Sequence, residues 1–233
     1  MKIVMINGSM RKQSTYNIGN MLIDKVAGEG DEVKEFFLPR DMDKNCVGCF
    51  NCIKKSEDKC PHYEFTKPIT EAMDAADVIV FTTPVYVYHC SGALKSLLDH
   101  YGYRWMNHRP EPSMFKKQGI VISTAAGGGT KSTNKDVTDS MFFWGVGKIL
   151  SYGKLVRATS WSGVSDKRKA QIDEDTTKLA EKIKSNYGRV KCGIKTKAYF
   201  YLMRNFHKQG KFTENDREYW KEHGWLGDKR PWK

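Results

Sequence analysis

The 233-residue sequence contains no apolar run long enough to cross a bilayer. Its longest such run, Val78–Phe81 continuing towards Val85, falls far short of the roughly 20 residues that a spanning helix needs. The first residues, from Met1 to Ile6, enter a strand pattern at once and lack the extended apolar core of a signal peptide. These absences predict a cytoplasmic protein with no membrane span.

Acidic residues are scarce relative to basic ones. The chain has 27 Asp and Glu against 39 Lys and Arg, a net charge of +12, and the surplus lies mainly in residues 182–211 and 229–233. A cationic surface attracts polyanions, but no DNA-reading module accompanies this one. We therefore expect no nucleic-acid partner and attribute the excess to ordinary surface charge and to attraction for dinucleotide phosphates.

The sequence also lacks internal repeats, low-complexity segments and the pattern of a disulfide framework. Six cysteines in a cytosolic chain favour reduced thiols. Two of them, Cys90 and Cys192, stand alone and are expected to be small buried hydrophobes. The other four are clustered: Cys46, Cys49, Cys52 and Cys60.

What the sequence does contain is an alternation of short apolar strands and amphipathic helices. Strands are predicted at residues 2–7, 32–38, 77–83, 118–124 and 154–159. Helices are predicted at 17–27, 69–76, 92–103, 133–150 and 166–185, with further helical patterns at 195–209 and 213–223. The alternation predicts an α/β fold with a parallel sheet and right-handed crossovers, and five strands fit the doubly wound order 2-1-3-4-5.

The chain divides into two parts on this pattern. Residues 1–190 carry the predicted sheet, and residues 191–233 form a basic, aromatic helical extension that is too short for a core of its own. In a doubly wound sheet, ligands bind beyond the carboxyl ends of the strands. The loops after strands one, three and four are therefore where chemistry is expected.

The loop after strand one, Gly8–Asn17, is dense in hydrogen-bond donors and leads directly into a helix. Helix N-terminal amides and the helix dipole favour a phosphate. Arg11 adds a fixed positive fork, and Asn17 is expected to cap the helix. Hydroxyl donors come from Ser9, Ser14 and Thr15. The glycine–lysine spacing of a P-loop is absent, and the alternative is an ordinary hydrophilic turn.

Two further loops complete the predicted site. Thr83–Gly92 offers Pro84 and aromatic side chains against which a planar ring can lie, although such a loop can also simply cap a core. Ala125–Thr130 contains consecutive glycines that let backbone amides approach a ligand closely, although it can also be a flexible turn. A phosphate cradle, an apolar wall and an amide ledge together suit FMN.

These motifs resemble the NADPH-dependent FMN reductase and iron–sulfur flavoprotein group of the flavodoxin-like superfamily. The phosphate loop of that group, G-S-x-R-x-x-S-x-N/T, is matched by Gly8–Ser14, with Asn17 one place late. Its ring-binding T/S-P-V-Y is matched by Thr83–Tyr86, and its helix L-K-x-x-L-D-R by Leu94–Asp99 with His100 in place of Arg. The resemblance covers about residues 1–185.

The resemblance implies a flavodoxin-like fold, bound FMN, NAD(P)H as electron donor, and a homodimer or homotetramer. It implies flavin contacts from nine residues: Ser9, Arg11, Ser14, Thr15, Asn17, Pro84, Val85, Tyr86 and Gly127. No catalytic residue is assigned, because hydride transfer to a flavin needs stacked rings rather than a protein acid or base. His89 could relay a proton, but a structural hydrogen bond is the commoner role of such a histidine.

The clustered cysteines follow the spacing C-x2-C-x2-C-x7-C, which has the character of an iron–sulfur ligand set. In iron–sulfur flavoproteins a similar run with a somewhat shorter last gap holds a [4Fe–4S] cluster. The resemblance therefore implies such a cluster on Cys46, Cys49, Cys52 and Cys60. Structural zinc and metal-free thiols remain the alternatives. In each case we expect the four thiols to converge.

The predicted function is that of an FMN-dependent NAD(P)H oxidoreductase. Its acceptor would be a quinone, a flavin, a nitro or azo compound, or an iron–sulfur centre, either as a small molecule or in a redox protein. Two alternatives are an iron–sulfur flavoprotein electron carrier fed by ferredoxin and a non-catalytic flavin-binding regulatory or storage protein.

The aromatic C-terminal extension also calls for burial, because aromatic side chains at this density are rarely left in water. We predict that it packs partly across a dimer interface and helps wall the flavin site. The alternatives are packing on its own subunit and a role at a membrane surface.

Overall fold

The computed structural model describes residues Met1–Lys233 and is built on a five-stranded parallel sheet. The strands are β1 (Lys2–Asn7), β2 (Glu32–Phe37), β3 (Val78–Pro84), β4 (Gln118–Ala125) and β5 (Lys148–Leu155). Their order is β2-β1-β3-β4-β5, which confirms the predicted doubly wound arrangement. The pairing register aligns the carboxyl ends of neighbouring strands, with Asn7 opposite Thr82 and Pro84 opposite Thr124.

Helices cover both faces of the sheet because the strand side chains alternate between two apolar faces. Val4 and Ile6 of β1 belong to one core cluster, and Ile3 and Met5 belong to the other. The first core is covered by α3 (Tyr63–Ala75), α4 (Gly92–Asp99) and α5 (Thr130–Phe143). The second core is covered by α1 (Ser14–Val26) and α6 (Asp166–Asn186), and a short helix, α2 (Asn51–Lys54), lies in the cysteine segment.

The fourth predicted helix and the fifth predicted strand are displaced. The helix was expected to reach residue 150, but α5 ends at Phe143 because Gly145 adopts a positive φ of 85° just after it. The fifth strand was expected at 154–159, but β5 occupies Lys148–Leu155. Gly153 interrupts its apolar pattern, and a Cβ there would come within 2.7 Å of Thr130.

The C-terminal extension is helical, as predicted, and consists of α7 (Ile194–Lys208) and α8 (Glu214–Glu222). Thr213 caps α8 by accepting a hydrogen bond from the amide of Asp216, and the positive φ of Gly224 follows its end. The predicted division at residue 190 falls in the connection between α6 and α7. No helix in the structure combines the length and apolarity that crossing a membrane requires.

The extension packs on its own chain. It forms a third apolar cluster with Phe115 and Met106, around Phe200, Trp220 and Trp225. The rings of Phe200 and Trp220 are stacked with centroids 4.7 Å apart. Packing on its own subunit, which the sequence left as the competing interpretation, therefore accounts for most of the aromatic content of this segment.

Candidate functional site

A cleft opens at the carboxyl ends of the strands, beside the loops that the sequence singled out. Seven of the nine predicted flavin contacts line it: Ser9, Arg11, Ser14, Thr15, Pro84, Val85 and Tyr86. The remaining lining comes from ten residues: Asn7, Gln13, Tyr16, Thr82, Thr124, Ala125, Ala126, Val156, Ala158 and Thr159. The cleft therefore brings the phosphate loop and the apolar loop together in one place.

One end of the cleft is a set of unpaired donors at the start of α1. The helix begins at Ser14 after Gln13, whose side chain makes no capping bond. The amides of Ser14, Thr15 and Tyr16 have no backbone or side-chain acceptor, and the first turn contains no acidic residue. Unpaired amides at a helix N-terminus favour an anion. Together with the hydroxyls of Ser9 and Ser14, this set suits a phosphate monoester.

Arg11 supplies the positive charge and is oriented by a loop that the sequence analysis did not consider. Its Nη2 donates to the carbonyl of Thr159 at 3.2 Å, and Gln13 accepts from the amide of Trp161 at 2.8 Å. Both partners follow β5. Ligands bind beyond the carboxyl ends of the strands, so the loop after the edge strand β5 was also a candidate from the sequence.

The floor of the cleft contains a polar residue that the sequence reading also missed. Asn7 ends β1 with 1% exposure, donates to the carbonyl of Phe36 at 3.2 Å and accepts from the hydroxyl of Thr82 at 2.7 Å. A polar residue at the end of an otherwise apolar buried strand is a signal of this position. Its amide ties β1 to both neighbouring strands directly beneath the phosphate loop.

Asn17 and Gly127 lie outside the cleft lining. The expected capping role of Asn17 is wrong, because it lies inside the first turn of α1 and its side-chain amide donates to the carbonyl of Gln13 at 2.9 Å. At the end of β4 the lining is formed by Ala125 and Ala126. The glycines serve a different purpose: Gly129, with φ at 90°, lies so close to Val85 that a Cβ would come within 2.8 Å of it.

The apolar wall ends in a tight turn with a strained backbone. Tyr86 and His89 exchange two backbone hydrogen bonds of 2.9 and 3.0 Å, and the two residues between them, Val87 and Tyr88, both have positive φ. Positive φ is unfavourable for any β-branched residue, and Val87 is 90% exposed. His89 is exposed, lies beside Asp136 and does not line the cleft. This position favours a structural hydrogen bond over a proton relay for His89.

The four clustered cysteines lie on a separate segment, whose chain turns sharply twice. Gly48, between the first two cysteines, has φ at 65°, and Phe50, between the second and third, has φ at 59°. All four thiols are free. Cys46 and Cys49 are exposed, and Cys52 and Cys60 are half-buried.

Negative charge on these thiols affects the ionisation of their neighbours. Burial raises the pKa of Cys52, and negative charge on Cys60, Cys46 and Cys49 raises it further. Burial likewise raises the pKa of Cys60, with additional contributions from Cys49 and Cys46. Mutual repulsion of thiolates is relieved by a cationic metal centre. The segment thus fits a metal-ligand set in composition and reduced state. No three of its four thiols lie within 4.8 Å of one another, so the expected convergence of all four is not seen in the structure.

Contacts from distant parts of the chain hold the cysteine segment in place. The hydroxyl of Ser96, in α4, donates to the carbonyl of Lys44 at 2.7 Å. Arg109 donates through Nη1 to the carbonyl of Ile53 at 3.3 Å and through Nη2 to that of Cys52. From α8, the amide of Asn215 donates to the carbonyls of residues 54 and 55 at 2.8 Å.

The carboxylate of Asp216 anchors this arrangement. It is fully buried and accepts from Arg109 at 2.6 Å, from His108 at 2.8 Å and from Thr213 at 2.7 Å. Burial opposes ionisation of Asp216, but the hydrogen bonds from His108 and Thr213 outweigh it, so the pKa of this carboxyl lies below its usual value. The C-terminal extension thereby holds Arg109, and Arg109 holds the cysteine segment.

Within a single chain the extension does not reach the cleft. No residue beyond Thr159 lines it, and the extension packs instead on Phe115 and Met106. Its packing across a dimer interface, where it would help wall the flavin site, stays a prediction. Helix α4 is instead the element shared by both candidate sites. Ser91, at its N-cap, donates to the carbonyl of Gly8, and Ser96, further along, reaches the cysteine segment.

The chain is similar to several known proteins. A model of the NADPH-dependent FMN reductase family matches residues 1–158. An iron–sulfur flavoprotein of Methanocaldococcus jannaschii is 27% identical over 197 residues, covering 82% of this chain and 96% of that protein. An iron–sulfur flavoprotein of Archaeoglobus fulgidus is 25% identical over 236 residues, covering 97% of this chain and 100% of that protein.

A solved structure supports the fold alone. The FMN-dependent NADH-azoreductase of Bacillus anthracis superimposes with a TM-score of 0.56, covering 77% of this chain and 100% of its own, at 12% identity.

Proposed function

The chain belongs to the NADPH-dependent FMN reductase family, and we propose on that basis that it is an FMN-dependent oxidoreductase using NAD(P)H as donor. The family assignment confirms the resemblance drawn from the two sequence motifs. The observation that carries the proposal is the cleft itself, in which free helix amides and Arg11 face the same space as the apolar wall at Pro84–Tyr86.

In this proposal the two ends of the cleft have different tasks. The amides of Ser14, Thr15 and Tyr16, the hydroxyl of Ser9 and the guanidinium of Arg11 bind the FMN phosphate. Pro84, Val85 and Tyr86 lie along the flavin ring, and the small side chains of Ala125 and Ala126 leave room beside it. When bound, FMN supplies hydride and single-electron chemistry. The protein contributes position and an apolar face that excludes water from the ring.

The acceptor belongs to the same proposal. A quinone, a free flavin, a nitro or azo compound, or an iron–sulfur centre would approach over Tyr86, which is 47% exposed at the mouth of the cleft. We also propose that the protein assembles as a homodimer or homotetramer, as the resemblance implies. Sedimentation of the flavin-loaded protein distinguishes either assembly from a monomer.

An anaerobic titration tests the donor. Protein carrying FMN is titrated with NADPH and, separately, with NADH while the visible flavin absorbance is followed, and acceptors are then added to the reduced protein. Bleaching by either nucleotide and recovery with an acceptor support the proposal. Flavin that neither nucleotide reduces, but that reduced ferredoxin does, favours the electron carrier. Flavin that no donor reduces favours a binding protein without turnover.

The electron carrier is favoured by one specific observation, the cysteine segment beside α4. We propose that Cys46, Cys49, Cys52 and Cys60 hold a [4Fe–4S] cluster, as the relatives' names also suggest. Iron and sulfide analysis of protein purified without air tests this directly. Cys49→Ser should lower the iron content and leave FMN in place. Equal iron in both proteins would contradict cluster binding at this segment.

A further inference from the structure

A second potential ligand set lies beside the cysteine segment. The side-chain ligand atoms of Cys60, His62 and His100 all lie within 4.8 Å of one another. Nδ1 of His62 is 3.0 Å from Nε2 of His100, and the two rings have centroids 5.2 Å apart. His62 and His100 come from different elements, one just before α3 and the other just after α4. Their proximity is therefore produced by the fold rather than by sequence spacing.

His100 is oriented in the way that metal-bound histidines usually are. It is only 5% exposed, and its Nδ1 donates to the carbonyl of Ser96 at 2.7 Å. Since only an N–H can pair with a carbonyl oxygen, Nε2 of the neutral ring is left with its lone pair. That lone pair faces His62 and Cys60. A ring nitrogen fixed through a carbonyl on its other side is the common outer-shell arrangement at metal sites.

The donor types identify the class of ion. One thiolate and two imidazoles suit Zn²⁺ and similar borderline ions, whereas Mg²⁺ and Ca²⁺ require oxygen ligands. In a tetrahedral zinc site with Zn–S and Zn–N bonds of about 2.3 and 2.1 Å, the ligand atoms lie about 3.4–3.6 Å apart. Side-chain adjustments of about 1 Å bring the three atoms to those distances. To bind the ion through Nδ1, His62 would carry its proton on Nε2 instead, and the thiol of Cys60 would release its proton to water.

We propose that Cys60, His62 and His100 form a binding site for a divalent transition-metal ion of the zinc class. The site needs none of Cys46, Cys49 or Cys52. Because Cys60 is also the fourth ligand of the proposed cluster, the ion and the cluster are mutually exclusive at this residue. This last consequence rests on the proposed function, whereas the site itself does not.

The test uses the full-length protein with its flavin, purified in air and treated with a chelator to remove metal. Titration with Co²⁺ should give one ion per chain, with tetrahedral ligand-field bands and sulfur-to-cobalt charge transfer, and added Zn²⁺ should displace it. Cys60→Ser should abolish the charge-transfer band. His62→Ala and His100→Gln should weaken binding by more than the 10–100-fold expected for loss of an outer-shell partner.

Cys46→Ser is the matched control, since it removes a thiol of the same segment outside the trio. It should bind Co²⁺ as the wild type does. His62 is half-buried, so its variant keeps the test valid even if substitution of buried His100 disturbs the fold. Retained flavin absorbance reports folding of each variant, and a wild-type chain without flavin counts against the proposed function rather than against this site.

Three results would overturn the proposal: no Co²⁺ binding to the wild type, wild-type affinity in both histidine variants, or equal weakening by Cys46→Ser. The last would assign the ion to the four cysteines instead. Loading with Zn²⁺ before iron and sulfide are supplied should block cluster assembly. Unhindered assembly with zinc retained would contradict the sharing of Cys60.

Discussion

The flavin cleft and the cysteine segment differ in what holds them. The cleft is formed by loops that leave adjacent parallel strands at the same sheet edge. Its lining residues therefore lie close in sequence to the ends of those strands. The cysteine segment contains only the short helix α2 and one 3-10 turn, and it depends on Ser96, Arg109 and Asn215, from three other parts of the chain. The sheet itself therefore positions the flavin cleft, whereas side-chain hydrogen bonds from other elements position the cysteine segment.

Different mutations should therefore abolish flavin binding and loosen the cysteine segment. Changes in the phosphate loop should remove flavin and leave the cysteine segment in place. Changes in the C-terminal extension should loosen the cysteine segment and leave the flavin bound. Each of the following predictions tests one side of this comparison, beginning with the largest expected effect.

Replacing Arg11 and Ser14 together with alanine should weaken FMN binding by roughly 3–6 kcal/mol, because each substitution removes a charge-assisted bond worth about 1.5–3 kcal/mol. Fluorescence titration of the apoprotein with FMN measures this. Lys12→Ala is the control from the same loop, since Lys12 lies over the ring of Tyr16 and outside the cleft. Equal losses in both variants would show that the phosphate does not bind at Arg11 and Ser14.

Asp216→Ala should lower the free energy of unfolding by about 3–5 kcal/mol, because it leaves the buried guanidinium of Arg109 without its nearest carboxylate. Hydrogen exchange should speed up in residues 50–55, whereas FMN affinity should stay unchanged. Asp139→Ala removes only an exposed partner of Lys135 and should cost under about 1 kcal/mol. An FMN affinity that falls with Asp216→Ala would break the distinction between the two sites.

The extension should also be sensitive to acid through His207. This residue is fully buried, neither of its ring nitrogens has a partner, and burial lowers its pKa to about 4. The unfolded chain binds the proton near pH 6.5 and the folded chain only near pH 4. The contribution of the neutral His207 ring to the free energy of unfolding is therefore fully present above pH 6.5. It decreases as the pH falls to about 4, by about 3 kcal/mol in total.

The comparison of wild type with His207→Phe isolates this contribution, since Phe keeps a ring beside Trp220. Chemical denaturation between pH 4 and pH 7 should show the dependence in the wild type and a flatter curve in the variant. The pKa of Asp216 is lowered, so its contribution is lost only at more acidic pH. Parallel curves for the two proteins would contradict the assignment to His207.

The smallest effect concerns the turn at the mouth of the cleft. Val87→Asn should raise the free energy of unfolding by about 1 kcal/mol, because Asn tolerates the positive φ that strains valine. The side chain of Val87 is almost fully exposed, so little packing is lost. Val33→Asn, at an exposed position in β2 where the backbone is extended, should not stabilise the protein. Stabilisation at both positions would mean that backbone strain is not the cause.

Much of the flavin cleft was predictable because its parts are contiguous in sequence. The loop Gly8–Asn17 displays its donors in order, and the strand before it fixes where they lie. The contact of Arg11 with Thr159 was not predictable, since it spans 148 residues and depends on how the loop after β5 folds back. Gly145 is typical of a helix end and therefore indicates where α5 stops. Gly153 interrupts the apolar pattern of β5, so the start of this strand was not recognised.

The contacts that support the cysteine segment were not predictable from the sequence. Spacing indicates that four thiols belong together, but it does not reveal that Arg109 and Asp216, 107 residues apart, join the extension to them. The pairing of His62 with His100 likewise arises only when the fold brings the start of α3 to the end of α4. Aromatic density in the extension predicted burial, partly across a dimer interface. Most of these rings pack on their own chain in the structure, and the dimer interface stays a prediction.

The central claim is that FMN binds in the cleft at the carboxyl ends of β1, β3 and β4. The most direct test is a titration of flavin-free wild-type protein with FMN, followed by the quenching of flavin fluorescence and by flavin analysis of the denatured complex. The account predicts saturation at one FMN per chain and release of unmodified FMN on denaturation. Protein that stays colourless and takes up no FMN would contradict it.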